Sequence, residues 1–242
     1  MKVLLLISAI IPVLVFLFFI YKKDSQKEPH ELLGNCFLFG VASVIPILLI
    51  EYVFDYFNNL INSPFWYSFF RAFIVAALVE EGCKLFFLYR ATWRNKEFDQ
   101  SFDGIVYAVF VSLGFAMVEN ILYVLEHGFI VSISRALLSV PAHGLLGVMM
   151  GYFYALAKFS KNQRKQYLFL SFFIPFVFHG VFNFLLMYAD KIRNVANVFY
   201  VLLIYLLFIV FDVFIWRMGI KSIKRHYAKD IREIEQDENV IV

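Results

Sequence analysis

The sequence predicts an all-α, polytopic membrane helix bundle of about seven transmembrane helices, with the N-terminus outside and the C-terminus inside. Three observations carry this prediction. Of 242 residues, 62% are hydrophobic and only 17% are charged; soluble domains sit nearer half and a quarter. Mean hydropathy is +0.73. The apolar residues fall into stretches of about 20, the length that crosses a bilayer. The lysines and arginines alternate between the intervening breaks: sixteen fall on one face, four on the other, and only Arg71 and Lys84 inside a span. The basic-rich face is cytoplasmic, and an even number of spans would scramble the alternation. This length leaves no room for a separate soluble domain. The chain reads as one integral membrane domain, 1–242, with a polar-motif core at about 64–189 and a charged cytoplasmic tail at 221–242. Its partners therefore include membrane lipids, and nothing in it points to nucleic acid.

Taken in order, the first span runs from Val3 to Tyr21. Its basic cluster, Lys22-Lys23, follows the apolar run instead of preceding it, so it is an uncleaved span and not a signal peptide. The second covers about Leu32 to Tyr56, with Glu51 and Asp55 near its end, and Asn58 to Pro64 is a turn-rich break. The third, about Phe65 to Tyr89, holds Arg71 and the run Glu80-Glu81-Gly82-Cys83-Lys84. The fourth begins near Asp103-Gly104, read as an N-terminal cap, and ends near Leu125. The fifth covers about Arg135 to Ala157, the sixth about Tyr167 to Tyr188, and the seventh about Val198 to Trp216. The tail from Lys221 is expected to carry the last helix into water before fraying. Cys36 and Cys83 lie in different spans without CxxC spacing and read as buried thiols.

The polar residues inside the spans are the informative ones. A charge within a bilayer costs at least ~2.5–3.5 kcal/mol even on the mildest scale, so each needs a partner or a task. At about 1.5 Å per residue, Glu80 falls slightly past the midplane. Glu119 falls at it, His143 in the outer half, and His179 near the middle with Asn183 one turn further out. Groups from four spans thus share one slab. Glu80 and Lys84 are i, i+4 and can pair, while Glu81 points about 100° away, toward another helix. His179 and Asn183 are also i, i+4. Gly144, Gly147 and Gly151 form a stripe best suited to helix packing. Arg71 divides evenly between pairing with a carboxylate and reaching the outer interface. Read singly, each has a structural alternative: a buried ion pair, a helix–helix hydrogen bond, a satisfied core histidine.

Carboxylates and imidazoles in a low-dielectric cavity suit water activation, and a histidine beside an asparagine can donate to a developing oxyanion. No Ser-His or Cys-His pair stands out. Zinc accepts the same donors; if it is present, His143, His179 and Glu119 are the expected ligands, but there is no HExxH, and metal dependence stays open at this point.

These residues also carry a resemblance. Glu80-Glu81-Gly82-Cys83-Lys84 resembles the EExxK motif of the PrsW intramembrane proteases, within the CAAX-protease-like, glutamic-type membrane endopeptidases. Phe102-Asp103-Gly104-Ile105-Val106-Tyr107 and Gly114-Phe115-Ala116-Met117-Val118-Glu119-Asn120 resemble the next two blocks. Pro141-Ala142-His143-Gly144 and His179-Gly180-Val181-Phe182-Asn183 resemble the two histidine blocks. The match covers Glu80 to Asn183, in order. It implies a bacterial cytoplasmic-membrane endopeptidase that makes the first, site-1 cut in a single-pass anti-sigma factor near its extracytoplasmic end, freeing a stress-response sigma factor. It also implies Glu80, Glu81, Glu119, His143, His179 and Asn183 as catalytic residues. Two other classes compete. A proton-coupled transporter predicts pseudo-symmetric halves, which the sequence lacks. A non-catalytic, membrane-peptide-binding or immunity-type scaffold would tolerate loss of the acids.

Overall fold

The computed structural model describes residues 2–194 and 196–241. Among them nine α-helices and two π-helical segments succeed one another, without strands. The α-helices are α1 (Lys2–Lys23), α2 (His30–Asn58), α3 (Pro64–Phe69), α4 (Val79–Thr92), α5 (Asp103–His127), α6 (Phe129–Ser134), α7 (Val140–Phe159), α8 (Arg164–Ile192) and α9 (Val198–Ile241). The π-segments Phe70–Leu78 and Arg135–Ser139 join α3 to α4 and α6 to α7. Prolines mark two starts: Pro29 stands just before α2, and Pro64 opens α3, where a missing N–H falls among donors that have no helical partner anyway. Gly128, at φ 84°, breaks α5 from α6.

Among the described residues, six helical stretches are long and apolar enough to cross a membrane. The third predicted span is helical from Pro64 to Thr92, but Arg71, Glu80, Glu81 and Lys84 keep it from reading as apolar. The fifth span begins at Phe129, not Arg135, because the apolar residues after Gly128 are already helical. Arg135 is therefore inside the membrane helix and not at its mouth.

The bundle is built around α5. In its apolar window 67% is buried, against 22–39% in the other five spans, and it packs on α1, α2, α4 and α7. Two backbone-to-backbone crossings hold it. Gly40 of α2 and Gly114 of α5 abut the Val111 and Phe37 carbonyls so closely that neither could carry a Cβ, and Gly151 of α7 meets Gly104 in the same way. Gly144 and Gly147 lie against Phe16 and the Val109 backbone. The glycine stripe on α7 thus serves packing, which in lipid depends on close van der Waals approach.

The cytoplasmic end departs from two expectations. Asp103 does not cap its own helix; its Oδ2 accepts from the Asp99 and Gln100 amides at 3.1 and 2.6 Å, closing the preceding turn. The cap on α5 comes from the tail, where the Asp230 carboxylate accepts from Ser101 N and Phe102 N at 3.2 and 2.8 Å. Ile223, His226 and Asp230 are buried, so α9 docks along the inner face as far as residue 230 instead of leaving for water. Nearby, the Tyr107 hydroxyl donates to Glu28, which is buried in the α1–α2 connection. Burial pushes the Glu28 carboxyl up to about 7.

Substitutions at these contacts have defined outcomes. Gly114→Val forces α2 off α5 and costs at least ~1–3 kcal/mol, read as a lower thermal midpoint in detergent. Gly34→Ala, with nothing within 4 Å, does not lower it. For Glu28 the folded state holds its proton more tightly than the unfolded chain. Its contribution is present at pH 4 and declines as pH rises through about 7. The wild-type midpoint therefore falls from pH 5 to pH 8 more steeply than that of Glu28→Gln.

Candidate active site

The site begins with a helix that is not regular. Nine residues of π-helix, Phe70–Leu78, lead directly into α4, which opens with Glu80 and Glu81. A second π-segment precedes His143. Its physical cause is Pro141, which cannot donate to residue 137 and whose ring crowds that carbonyl. Such widened turns gather at functional sites.

Lys84 organises the polar cluster. It is wholly buried, and its Nζ donates to Glu80 Oε2 at 3.0 Å, to Glu81 Oε1 at 2.8 Å and to His143 Nδ1 at 3.3 Å. The Phe115 ring lies 4.2 Å from the ammonium, a further favourable contact for a desolvated cation. The i, i+4 spacing makes the pairing of Glu80 with Lys84 legible in the sequence. That the same ammonium also takes Glu81, at i+3, is not legible there. Glu81 does address another helix as well: His179 Nδ1, on α8, donates to its Oε1 at 2.9 Å.

The two imidazoles are fixed as tautomers by their partners. An ammonium can only donate, so His143 Nδ1 accepts from Lys84 and Nε2 carries the proton, which it donates to Glu119 Oε2 at 3.0 Å. An ionised carboxylate can only accept, so His179 holds its proton on Nδ1. Its Nε2 lone pair faces Glu80, 4.0 Å from Oε2. The two rings meet edge to face with centroids 5.3 Å apart.

A cavity of about 300 Å³ opens onto this cluster. Glu80, Glu119, His143, His179 and Asn183 line it, whereas Glu81 is fully buried behind the wall. Of the six sequence-derived candidates, five thus interlock through hydrogen bonds or ion pairs. Asn183 shares the cavity without a hydrogen bond to the others. Several polar cavity residues escape the sequence reading as site members, among them Glu51, Tyr123, Glu126 and Arg135. Glu51, on α2, figures there only as a charge near a span end. Tyr123 offers no signal. Arg135 counts there among the loop charges, although Phe129–Ile133 before it is apolar enough to be helix. Arg71 pairs with Asp55 near the cavity mouth and also lines it.

Glu80, Glu81, His143 and His179 each present a ligand atom within 4.8 Å of the others. Glu119 is not among them; it stands on the far side of His143. Three features fit a metal. Glu81 Oε2 is buried with no partner among the described residues. Two imidazoles and carboxylates are a zinc donor set. Each imidazole also has its other nitrogen on a carboxylate, the support that metal-binding histidines usually have.

Against known proteins, residues 28–211 match the family described as PrsW family intramembrane metalloprotease. The chain is 43% identical over 188 residues to a Protease PrsW of Geobacillus kaustophilus, covering 77% of this chain and 81% of the relative. It is 39% identical over 223 residues to that of Oceanobacillus iheyensis (91% and 95%), and 34% identical over 229 residues to that of Bacillus subtilis (94% and 97%). No solved structure matches.

Lys84→Met leaves two buried carboxylates facing one another without a cation. The expected loss is about 3–5 kcal/mol, measured as a drop in thermal midpoint. Adding Glu80→Gln and Glu81→Gln to that variant recovers most of it.

Proposed function

The chain belongs to the PrsW family of intramembrane metalloproteases and is a multi-pass membrane peptidase; we propose that it makes the first cut in a single-pass membrane anti-sigma factor, near the extracytoplasmic end of the substrate's span. The observation that carries this reading is the cavity, in which Glu80, His143 and His179 meet an open volume. Counted from Phe129 for the fifth span, at about 1.5 Å per residue, His143 joins Glu80 and His179 near the middle of the bilayer, within reach of a substrate's own span. Release of the regulator would free its sigma factor.

In the proposed chemistry, Glu80 is the acid on the cavity wall and takes the proton of the attacking water. Glu81, which has Lys84 and His179 on Oε1, anchors the other groups. Lys84 offsets the cost of burying both carboxylates. Asn183, one turn from His179 on the cavity wall, supplies a hydrogen bond as charge builds on the scissile carbonyl oxygen, while the His179 proton stays on Glu81. A divalent metal, with zinc the best fit, would be held by Glu80, Glu81, His143 and His179, with His143 Nδ1 giving up its bond from Lys84 to do so. When bound it would supply Lewis acidity at that carbonyl.

Co-expression with a tagged single-pass anti-sigma factor tests the assignment. Glu80→Gln is expected to insert and fold but to cut at least ~10²-fold more slowly, in line with loss of a positioned acid–base group. Processing at the wild-type rate by Glu80→Gln would reject the role given to Glu80. Uncut substrate with the active wild type would reject the substrate.

A further inference from the structure

Arg135 is wired into the site more tightly than any loop charge would be. Its Nη2 donates to Glu119 Oε2 at 2.6 Å, the same oxygen that His143 Nε2 reaches at 3.0 Å. Its Nε donates to Asn120 Oδ1 at 2.9 Å. Asn120 is in turn pinned, its Nδ2 donating to the Ala9 carbonyl of α1 at 2.8 Å. The Tyr123 ring lies 4.2 Å from the guanidinium carbon and closes off one face. Arg135 is also the first residue of the second π-segment, so the widened turn sets the point from which its side chain departs.

We propose that Arg135 is a positioning residue for hydrolysis: its fork on Glu119 and Asn120 fixes the carboxylate that holds His143 with Nδ1 turned into the pocket. A guanidinium makes two directed bonds from one rigid plane, which an ammonium cannot reproduce. Without the fork, Glu119 is a partly buried anion with one neutral partner and is free to rotate. Lys84 still holds His143 Nδ1 and with it the tautomer, but the Nε2 proton loses its fixed acceptor and the ring is free to swing about the remaining bond. Outer partners of this kind typically change activity or metal affinity by 10–100-fold. The inference rests on the assignment of His143 to the hydrolytic site.

The test uses the full-length protein in nanodiscs, with nitrogen-15-labelled histidine and a His143→Asn variant to assign the resonance. In the wild type, His143 is expected as the Nε2–H tautomer. In Arg135→Gln and Arg135→Lys the Lys84 bond keeps that tautomer, but the Nε2–H proton resonance is expected to move upfield and broaden as its bond to Glu119 loosens. Against a peptide substrate, Arg135→Gln should lose roughly 10–100-fold in kcat with KM nearly unchanged, and Arg135→Lys should recover little of that. Added guanidinium should restore part of the activity of Arg135→Ala, while equimolar ammonium should not. An unchanged His143 Nε2–H proton resonance in Arg135→Gln overturns the proposal, whatever happens to activity. So does a loss of kcat that disappears once the variant is cooled below its own melting range. The Nε2–H resonance is read without turnover, so a protein that cuts no peptide would refute the proteolytic reading while leaving this one decided by the spectrum.

Discussion

One ammonium and two carboxylates could not enter the membrane bundle separately. Each alone would lose several kcal/mol of hydration that protein dipoles do not fully return. Together, Lys84, Glu80 and Glu81 leave a single net charge, and the hydrogen bonds from Lys84 are complete: two to carboxylates and one to His143. Everything else in the site is arranged from this triplet. His179 reaches in from α8 because Glu81 turns away from Glu80. His143 reaches in from α7 with its inner nitrogen held by Lys84. Glu119 and Arg135 hold the outer nitrogen of His143. A bundle that lost the ammonium would have to separate these helices or neutralise the acids.

The scaffold explains why the arrangement is rigid where it must be. The central helix α5 carries Glu119 and is clamped on two sides by glycine crossings that allow backbones to touch. Its cytoplasmic end is capped by Asp230 from the far end of the chain. The two elements that bring the acids and His143 to the cavity are the two that contain π-turns. Regular helix would rotate every following side chain by a different amount, so the irregularity belongs to the aim of Glu80, Glu81 and His143.

Much of this is legible in the sequence, for definite reasons. The spans can be read because hydrocarbon thickness fixes their length, and the seven boundaries agree with the helices to within a few residues at most ends. Glu80, Glu119, His143 and His179 can be placed in one slab because depth comes from counting along a helix. What counting cannot give is azimuth. It cannot show that Lys84 serves Glu81 as well as Glu80, that Glu119 lies behind His143 and not with the four inward ligand groups, or that Glu51 faces the cavity. Two misreadings come from treating charges as boundary markers. Arg135 reads as a loop residue although an apolar helical turn precedes it. The tail reads as leaving for water although its helical period continues, and only the contacts of Asp230 and His226 show where it lies.

The central claim is that Glu80, Glu81, His143 and His179, from three separate elements of the chain, form one inward-facing donor pocket. X-ray absorption at the zinc edge of the full-length, zinc-loaded protein tests it most directly. One zinc per chain, surrounded by nitrogen and oxygen donors that include two imidazoles, is the predicted result, with an imidazole lost in His143→Ala and in His179→Ala. A shell containing sulfur from Cys83, a shell unaffected by either histidine variant, or no specific uptake would contradict it.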